Sequence, residues 1–172
     1  MTVHLPYEPS AQEINHPLYR LNDAIEKLKE EHALLQEGLQ EIYDKVCALR
    51  REDDLLILNY KLRTLRFTVL EFKKVLAEHS KWEETELFPM AAWYFGNDME
   101  LFTIMEHEHE QAERRIDAFL HLADEKLIPV SHADAMHLAS QLLQAYALLK
   151  NHFQEEEEIL VAFADRSNSF GY

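Results

Sequence analysis

The sequence predicts an all-α protein, an up-down-up-down four-helix bundle preceded by a short N-terminal arm. Three observations predict it. Four stretches carry core-type residues at gaps that alternate between three and four, the pattern of a helix with one buried stripe. The 172 residues include only 3 Gly and 5 Pro, which favours long helices over many strands. Short charged or turn-forming segments separate the stretches, and short connections make neighbouring helices antiparallel. There is no linker-like tract, so one domain is expected: an arm at 1–16, the bundle at 17–166 and a tail at 167–172.

The arm carries two prolines within residues 1–13 and shows no periodicity. From about Pro17 the first helix presents Leu21, Ile25, Leu28, His32, Leu35, Leu39, Ile42, Val46 and Leu49 on one stripe. Arg50-Arg51-Glu52-Asp53-Asp54 is a charged break and the expected first reversal. The second stripe is Leu58, Leu62, Leu65, Val69, Phe72, Leu76, His79, Glu83 and Leu87. Pro89 lacks an N–H and disfavours helix before it, so the helix is expected to weaken there. Met90 to Phe95 then reads as an aromatic elbow, either a cap on the bundle end or a partner surface, and Gly96-Asn97-Asp98 as a turn with a helix cap.

The third stripe is Phe102, Met105, His109, Ala112, Ile116, Phe119 and Ala123. His107 lies two residues from His109, roughly 200° around a helix, and points off the stripe. Leu127-Ile128-Pro129-Val130 is the last loop, and Ser131-His132-Ala133-Asp134 resembles a capping box with Asp in place of Glu. The fourth stripe is Ala135, Leu138, Leu142, Ala145, Leu149, His152, Glu156, Ile159 and Phe163. The tail after Arg166 is expected to fray.

Six polar residues interrupt these stripes: His32, His79, Glu83, His109, His152 and Glu156. They form two matching halves, each a lone His followed later by His-x-x-x-Glu, and each lone His follows a glutamate (Glu31-His32, Glu108-His109). The His-to-His spacings are 47 and 43 residues, about one helical turn apart. His and Glu four residues apart share a helix face. Residues at one level of an antiparallel bundle are equidistant from the reversal between them. With the paired residues centred at 81 and 154, the reversals fall at 56.5, 95 and 131.5, against turn segments near 50–56, 96 and 127–131. The first is late, so the second helix is expected to start nearer Leu56 than Asp54.

Burying two carboxylates and four imidazoles without partners costs several kcal/mol per charged group. Metal ions remove that cost. Imidazole with carboxylate suits Fe, Zn, Mn or Cu, and two halves imply two ions. Six ligands exceed one tetrahedral zinc, and a shared glutamate from each half leaves positions open for a small molecule. Non-haem di-iron is the leading identity on these grounds.

Composition bounds the partners. The formal charge of −15 disfavours nucleic acid and anionic membranes and favours small cations. No signal-peptide pattern starts the chain, and no run approaches the roughly 18–20 apolar residues of a membrane span. Cys47 is the only cysteine, so no intramolecular disulfide forms. A cytoplasmic protein is expected.

His32, then His79-x-x-x-Glu83-Glu84-x-x-Leu87-Phe88-Pro89, then Glu108-His109, then His152-x-x-x-Glu156-Glu157 resembles the hemerythrin-like, HHE cation-binding domain family, over roughly residues 17–163. The resemblance implies a four-helix bundle around an oxo- or hydroxo-bridged centre of two non-haem iron ions (Fe2+/Fe3+). It implies His32, His79, His109 and His152 as terminal ligands and Glu83 and Glu156 as bridging carboxylates. Oxygen-carrying members have a further histidine one turn after the third-helix ligand, where this chain has Glu113, and they space the fourth-helix carboxylate differently from Glu156. The symmetric four-His, two-Glu members match better. They include repair proteins for iron–sulfur centres under nitrosative stress, which usually carry a cysteine-bearing domain that this chain lacks. Glu113 is either a further ligand or a solvated charge, and the solvated charge is preferred.

His4, His16, His107, His121, His132 and His137 lie off the stripes and are expected at the surface. Glu31, Glu108 and the glutamates that follow His79 and His152 either orient imidazole N–H groups or only add charge. Trp82 and Phe153 flank ligands and are expected to pack. The function expected is a di-iron protein that binds or senses oxygen or nitric oxide, or handles iron, rather than an enzyme. A di-iron oxidase or ferroxidase, iron–sulfur-centre repair and a structural or adaptor bundle are the alternatives. A sensor would need a protein partner or a homo-oligomer to report its signal.

Overall fold

The computed structural model describes residues 17–96, 99–125 and 129–169. The expected arm, the tip of the Gly96-Asn97-Asp98 turn, part of the last loop and residues 170–172 lie outside the described residues, as do His4 and His16. The described chain forms α1 (Pro17–Arg50), α2 (Leu55–Trp82), a π-helical turn (Glu83–Leu87), α3 (Phe88–Phe95), α4 (Met99–Glu125) and α5 (His132–Ser169). α2, the π turn and α3 run on as one rod, so the architecture is four rods, all-α, packed in the ring α1–α2–α4–α5. The last helix continues to Ser169, past the expected start of the tail.

The stripes are the core. Every predicted stripe residue of α1, α2 and the π turn is buried, as are Phe102 to Phe119 on α4 and Ala135 to Glu156 on α5. Two stretches differ. Ala123 is only half-buried near the end of α4, and beyond Glu156 the buried positions are Leu160 and Ala164 rather than Ile159 and Phe163. There the stripe steps by four twice, because a straight helix at 3.6 residues per turn drifts from a strict three-four alternation.

The expected weakening at Pro89 takes another form. The Phe88 N–H bonds the carbonyl of Glu83, five residues back, and the chain then continues helically as α3 through Phe95. Proline's ring would strike the carbonyl four residues earlier in an α-helix, and the wider π turn relieves that clash without breaking the rod. The elbow is thus a helix. It ends at Gly96, whose φ of 83° lies in the left-handed region that glycine reaches without strain.

The late first reversal also has a cause. His32 stands 18 residues before the end of α1 and His79 stands 24 after the start of α2. Since the two meet, α2 overhangs the end of α1 by about six residues, roughly 9 Å. Residues 51–54 climb this step. Lys61 donates to Glu52 at 2.7 Å, and Asp54 caps α2 by accepting from the N–H groups of Leu56 and Ile57. At the same bundle end the Asn59 amide donates to the Val130 carbonyl and accepts from the Val130 N–H, tying α2 to the last loop. Ser131 accepts from the Asp134 N–H, as the capping-box reading expects.

Candidate metal centre

Two apolar clusters fill the bundle, and a polar layer divides them. One cluster runs from Leu35 on α1 to Phe153 on α5; the other joins Leu21, Leu28, Phe88, Phe102 and Leu160 towards the opposite end. Between them lie His32, His79, Glu83, His109, His152 and Glu156, each no more than 3% exposed. All six predicted site residues therefore sit at one level. Phe153 closes one side, its ring 4.6 Å from that of His32, and Phe88 lies 6.3 Å from His109 on the other.

The six form two overlapping groups. His32, His79, Glu83 and Glu156 make one; His109, His152, Glu83 and Glu156 make the other. Within each, the potential ligand atoms lie within 4.8 Å of one another. Both glutamates belong to both groups. Glu83 directs Oε1 to His79 (2.5 Å) and Oε2 to His109 (2.9 Å), one oxygen to each half. Glu156 Oε2 lies 3.2 Å from His32 and 3.3 Å from His152. Glu113 belongs to neither group and is half-buried on α4, while His107, His121, His132 and His137 are exposed.

A ring of outer carboxylates fixes the imidazoles. The Nδ1–H of His32 donates to Glu157 (3.0 Å), that of His79 to Glu31 (2.7 Å), that of His109 to Glu84 (3.2 Å) and that of His152 to Glu108 (2.6 Å). Each acceptor comes from a different helix than its histidine, and each stands next to one of the six central residues in sequence. The set is two-fold: exchanging α1 with α4 and α2 with α5 maps every bond onto another. With Nδ1 as donor, Nε2 of each neutral imidazole presents a lone pair inward, the tautomer a metal ligand needs.

The inward nitrogens meet in pairs. His32 Nε2 lies 3.1 Å from His79 Nε2, and His109 Nε2 lies 2.9 Å from His152 Nε2. Two lone pairs this close repel unless a cation stands against both. The four oxygens of Glu83 and Glu156 are buried and accept no aligned hydrogen bond. Orphaned buried carboxylate oxygens are costly, and a divalent ion in each group satisfies them together with the paired nitrogens. The donor set therefore fits metal ions.

Burial alone would push the histidines down. The carboxylates of Glu156 and Glu83 outweigh it and raise His32 to about 9. Glu83 does the same for His109, also to about 9, and Glu156 raises His152. Burial would raise Glu83, but His109, His32 and His79 hold it well below the usual carboxylate range. The cluster is thus built to keep positive charge beside its carboxylates, as protons or as metal.

Three features were not read from the sequence. One is the π turn. Its signal was present, since the stripe steps from His79 to Glu83 to Leu87 by four twice instead of alternating. The second is Phe153, expected only to pack and found as a wall of the centre. The third is which glutamate serves which histidine, which only the packing of four helices decides. Trp82 packs as expected, half-buried 6.2 Å from the His79 ring with Lys27 4.1 Å over its own ring.

Among the described residues no helix is long and apolar enough to cross a membrane. The family model of the hemerythrin HHE cation binding domain matches residues 23–164. No curated protein and no solved structure gives a significant match.

Proposed function

As a chain that belongs to the hemerythrin HHE cation-binding family, this protein binds metal ions, and we propose that it holds two non-haem iron ions and uses them to bind or sense oxygen or nitric oxide. One observation carries the choice of metal: four buried imidazoles and two buried carboxylates, both shared between the two groups, form a mixed nitrogen and oxygen donor set. Such a set suits iron, and the two groups would hold two ions.

In this reading His32 and His79 would hold one ion and His109 and His152 the other, with Glu83 and Glu156, which belong to both groups, available to each. Bound iron would supply reversible one-electron chemistry and affinity for a diatomic ligand. The protein supplies the rest. Glu31, Glu84, Glu108 and Glu157 lock the imidazole orientations through Nδ1. Phe153 and Phe88 keep bulk water from the centre. With each central residue at most 3% exposed, the layer is closed to bulky substrates, which favours a small ligand over turnover of a large organic molecule.

Metal content and an ultraviolet–visible spectrum, on protein purified without chelators, test this. Two irons per chain, with a charge-transfer band that responds to reduction and then to oxygen or nitric oxide, are expected. Zinc or a single ion that persists after iron reconstitution would overturn it.

A further inference from the structure

The buried stripe of α2 is not its only apolar stripe. Among the described residues nine large apolar side chains are exposed, and six of them are on α2: Leu55, Leu56, Ile57, Tyr60, Phe67 and Val75. Leu56, Tyr60 and Phe67 are 83%, 71% and 65% exposed. With Arg63 and Lys74 they recur at gaps of four, three, four and seven, so they line one outward face. Leu34 of α1, 65% exposed, adds to it across a shallow groove shared with Phe67 and Val75. Scattered exposed apolar residues need no explanation, but a continuous stripe on one helix is the mark of a contact surface.

Charge selects the occupant. α2 carries six Lys or Arg against two Glu, in a chain of formal charge −15. Four of those cations are paired within the chain: Lys61 with Glu52, Arg66 with Asp124, Lys73 with Asp117 and Lys74 with Glu71. Along the outer stripe stand Arg63, the Glu71–Lys74 pair, Glu78 and Lys81, three cations and two anions. The stripe is close to neutral in a chain of formal charge −15, so two otherwise repelling copies can meet there.

We propose that this face is a homodimer interface, with two copies of α2 packed antiparallel about a two-fold axis beside Phe67. Under that symmetry position i of one copy faces position 134 minus i of the other. Phe67 meets its own counterpart. Arg63 faces Glu71 of the second copy, and by symmetry Glu71 faces Arg63. Tyr60 faces Lys74, a cation over a phenol ring. Val75 and Leu34 lie at the level of Ile57 and Tyr60, which are free to receive them because α2 overhangs α1 there. The contact runs from Leu56 to Glu78, about 33 Å. A parallel pairing would set Arg63 against Arg63 and Glu71 against Glu71, so the charges reject it. Such a self-complementary patch is what a two-fold oligomer requires.

Sedimentation velocity on the full chain across a concentration series tests this, with circular dichroism to confirm that each variant is folded. The wild type is expected to dimerise, and Phe67→Glu to be monomeric. Arg63→Glu and Glu71→Arg are each expected to weaken the dimer by about tenfold or more. The double variant Arg63→Glu/Glu71→Arg, in which each reversed charge faces the other across the axis, is expected to recover most of the loss. A wild-type chain that is monomeric at ~100 µM would overturn the proposal. So would a dimer indifferent to Phe67→Glu, or a double variant no better than the singles. A monomer that dimerises only after removal of residues 1–16 would assign the face to that segment and overturn the proposal too.

Discussion

His109 Nε2 lies 2.9 Å from His152 Nε2 although 43 residues separate the two in the chain. At that distance either a proton or a metal ion stands against the two lone pairs, so the centre exchanges one for the other. His32 and His109 are raised to about 9 and His152 is raised too, so the metal-free cluster is expected to hold protons at pH 7.5. Loading with Fe(II) at that pH is therefore expected to release two or more protons per chain. A pH indicator in weakly buffered solution measures this. Uptake with no proton release would show that the ions bind elsewhere.

The same shifts give the metal-free protein a pH profile. A histidine raised from 6.5 to about 9 contributes stability that is fully present below 6.5 and lost as pH rises through 9. Glu83, held low, contributes stability present above the usual carboxylate range and lost on acidification. The apo protein is expected to melt highest just below pH 6.5 and to lose Tm steadily up to pH 9. The loaded protein, with its protons replaced by metal, is expected to change little over that interval. Apo and loaded curves that ran parallel would contradict the arrangement.

His79 and His152 belong to different groups, so each is expected to govern a different ion. His79→Ala and His152→Ala should each lower metal content from two ions per chain towards one. The bundle should remain helical, because the two apolar clusters on either side of the polar layer are untouched. Elemental analysis with circular dichroism decides the matter. Unchanged metal content in both variants would remove these residues from the ligand set.

Much of this architecture is legible in the sequence because helix periodicity is local. One His in a run of leucines marks its own depth, so the level of His32 among Leu28, Leu35 and Leu39 could be read without coordinates. The π turn at Glu83–Leu87 was less legible, since a stripe that steps by four twice is easily passed over as drift. The partnerships of the outer glutamates were not legible. Glu31 serves His79 rather than its neighbour His32, because side chains one residue apart point about 100° away from each other on a helix. Which helix each then faces is decided by the ring order α1–α2–α4–α5, a property of the whole chain.

Phe153 is fully buried against His32 and should show how far the centre depends on its wall. Truncating a buried Phe to Ala costs about 3–5 kcal/mol. For a chain of this size Phe153→Ala should lower Tm by roughly 6–20 °C. Phe153→Leu, which refills most of the space, should cost less than half as much. If the two variants melted alike and close to wild type, the ring would not be part of the packed core.

The outer carboxylates give the sharpest separation of metal chemistry from folding. Glu31 and Glu108 are about one-third and somewhat less exposed, so their bonds to His79 and His152 add little to the stability of the bundle. Their effect on the ions is larger. A carboxylate on Nδ1 makes the opposite nitrogen a better donor and fixes the ring plane, and losing such a partner costs about 10–100-fold in metal affinity. Glu31→Gln keeps an acceptor oxygen at 2.7 Å from the His79 nitrogen but removes its charge. It is expected to weaken one ion by that factor in a chelator competition while shifting the Tm of the apo protein by no more than a few degrees. Glu108→Gln should act equally on the other ion, since the two positions exchange under the two-fold relation of the halves. A loss of affinity matched by an equal loss of apo stability would mean that these glutamates hold the helices rather than the imidazoles.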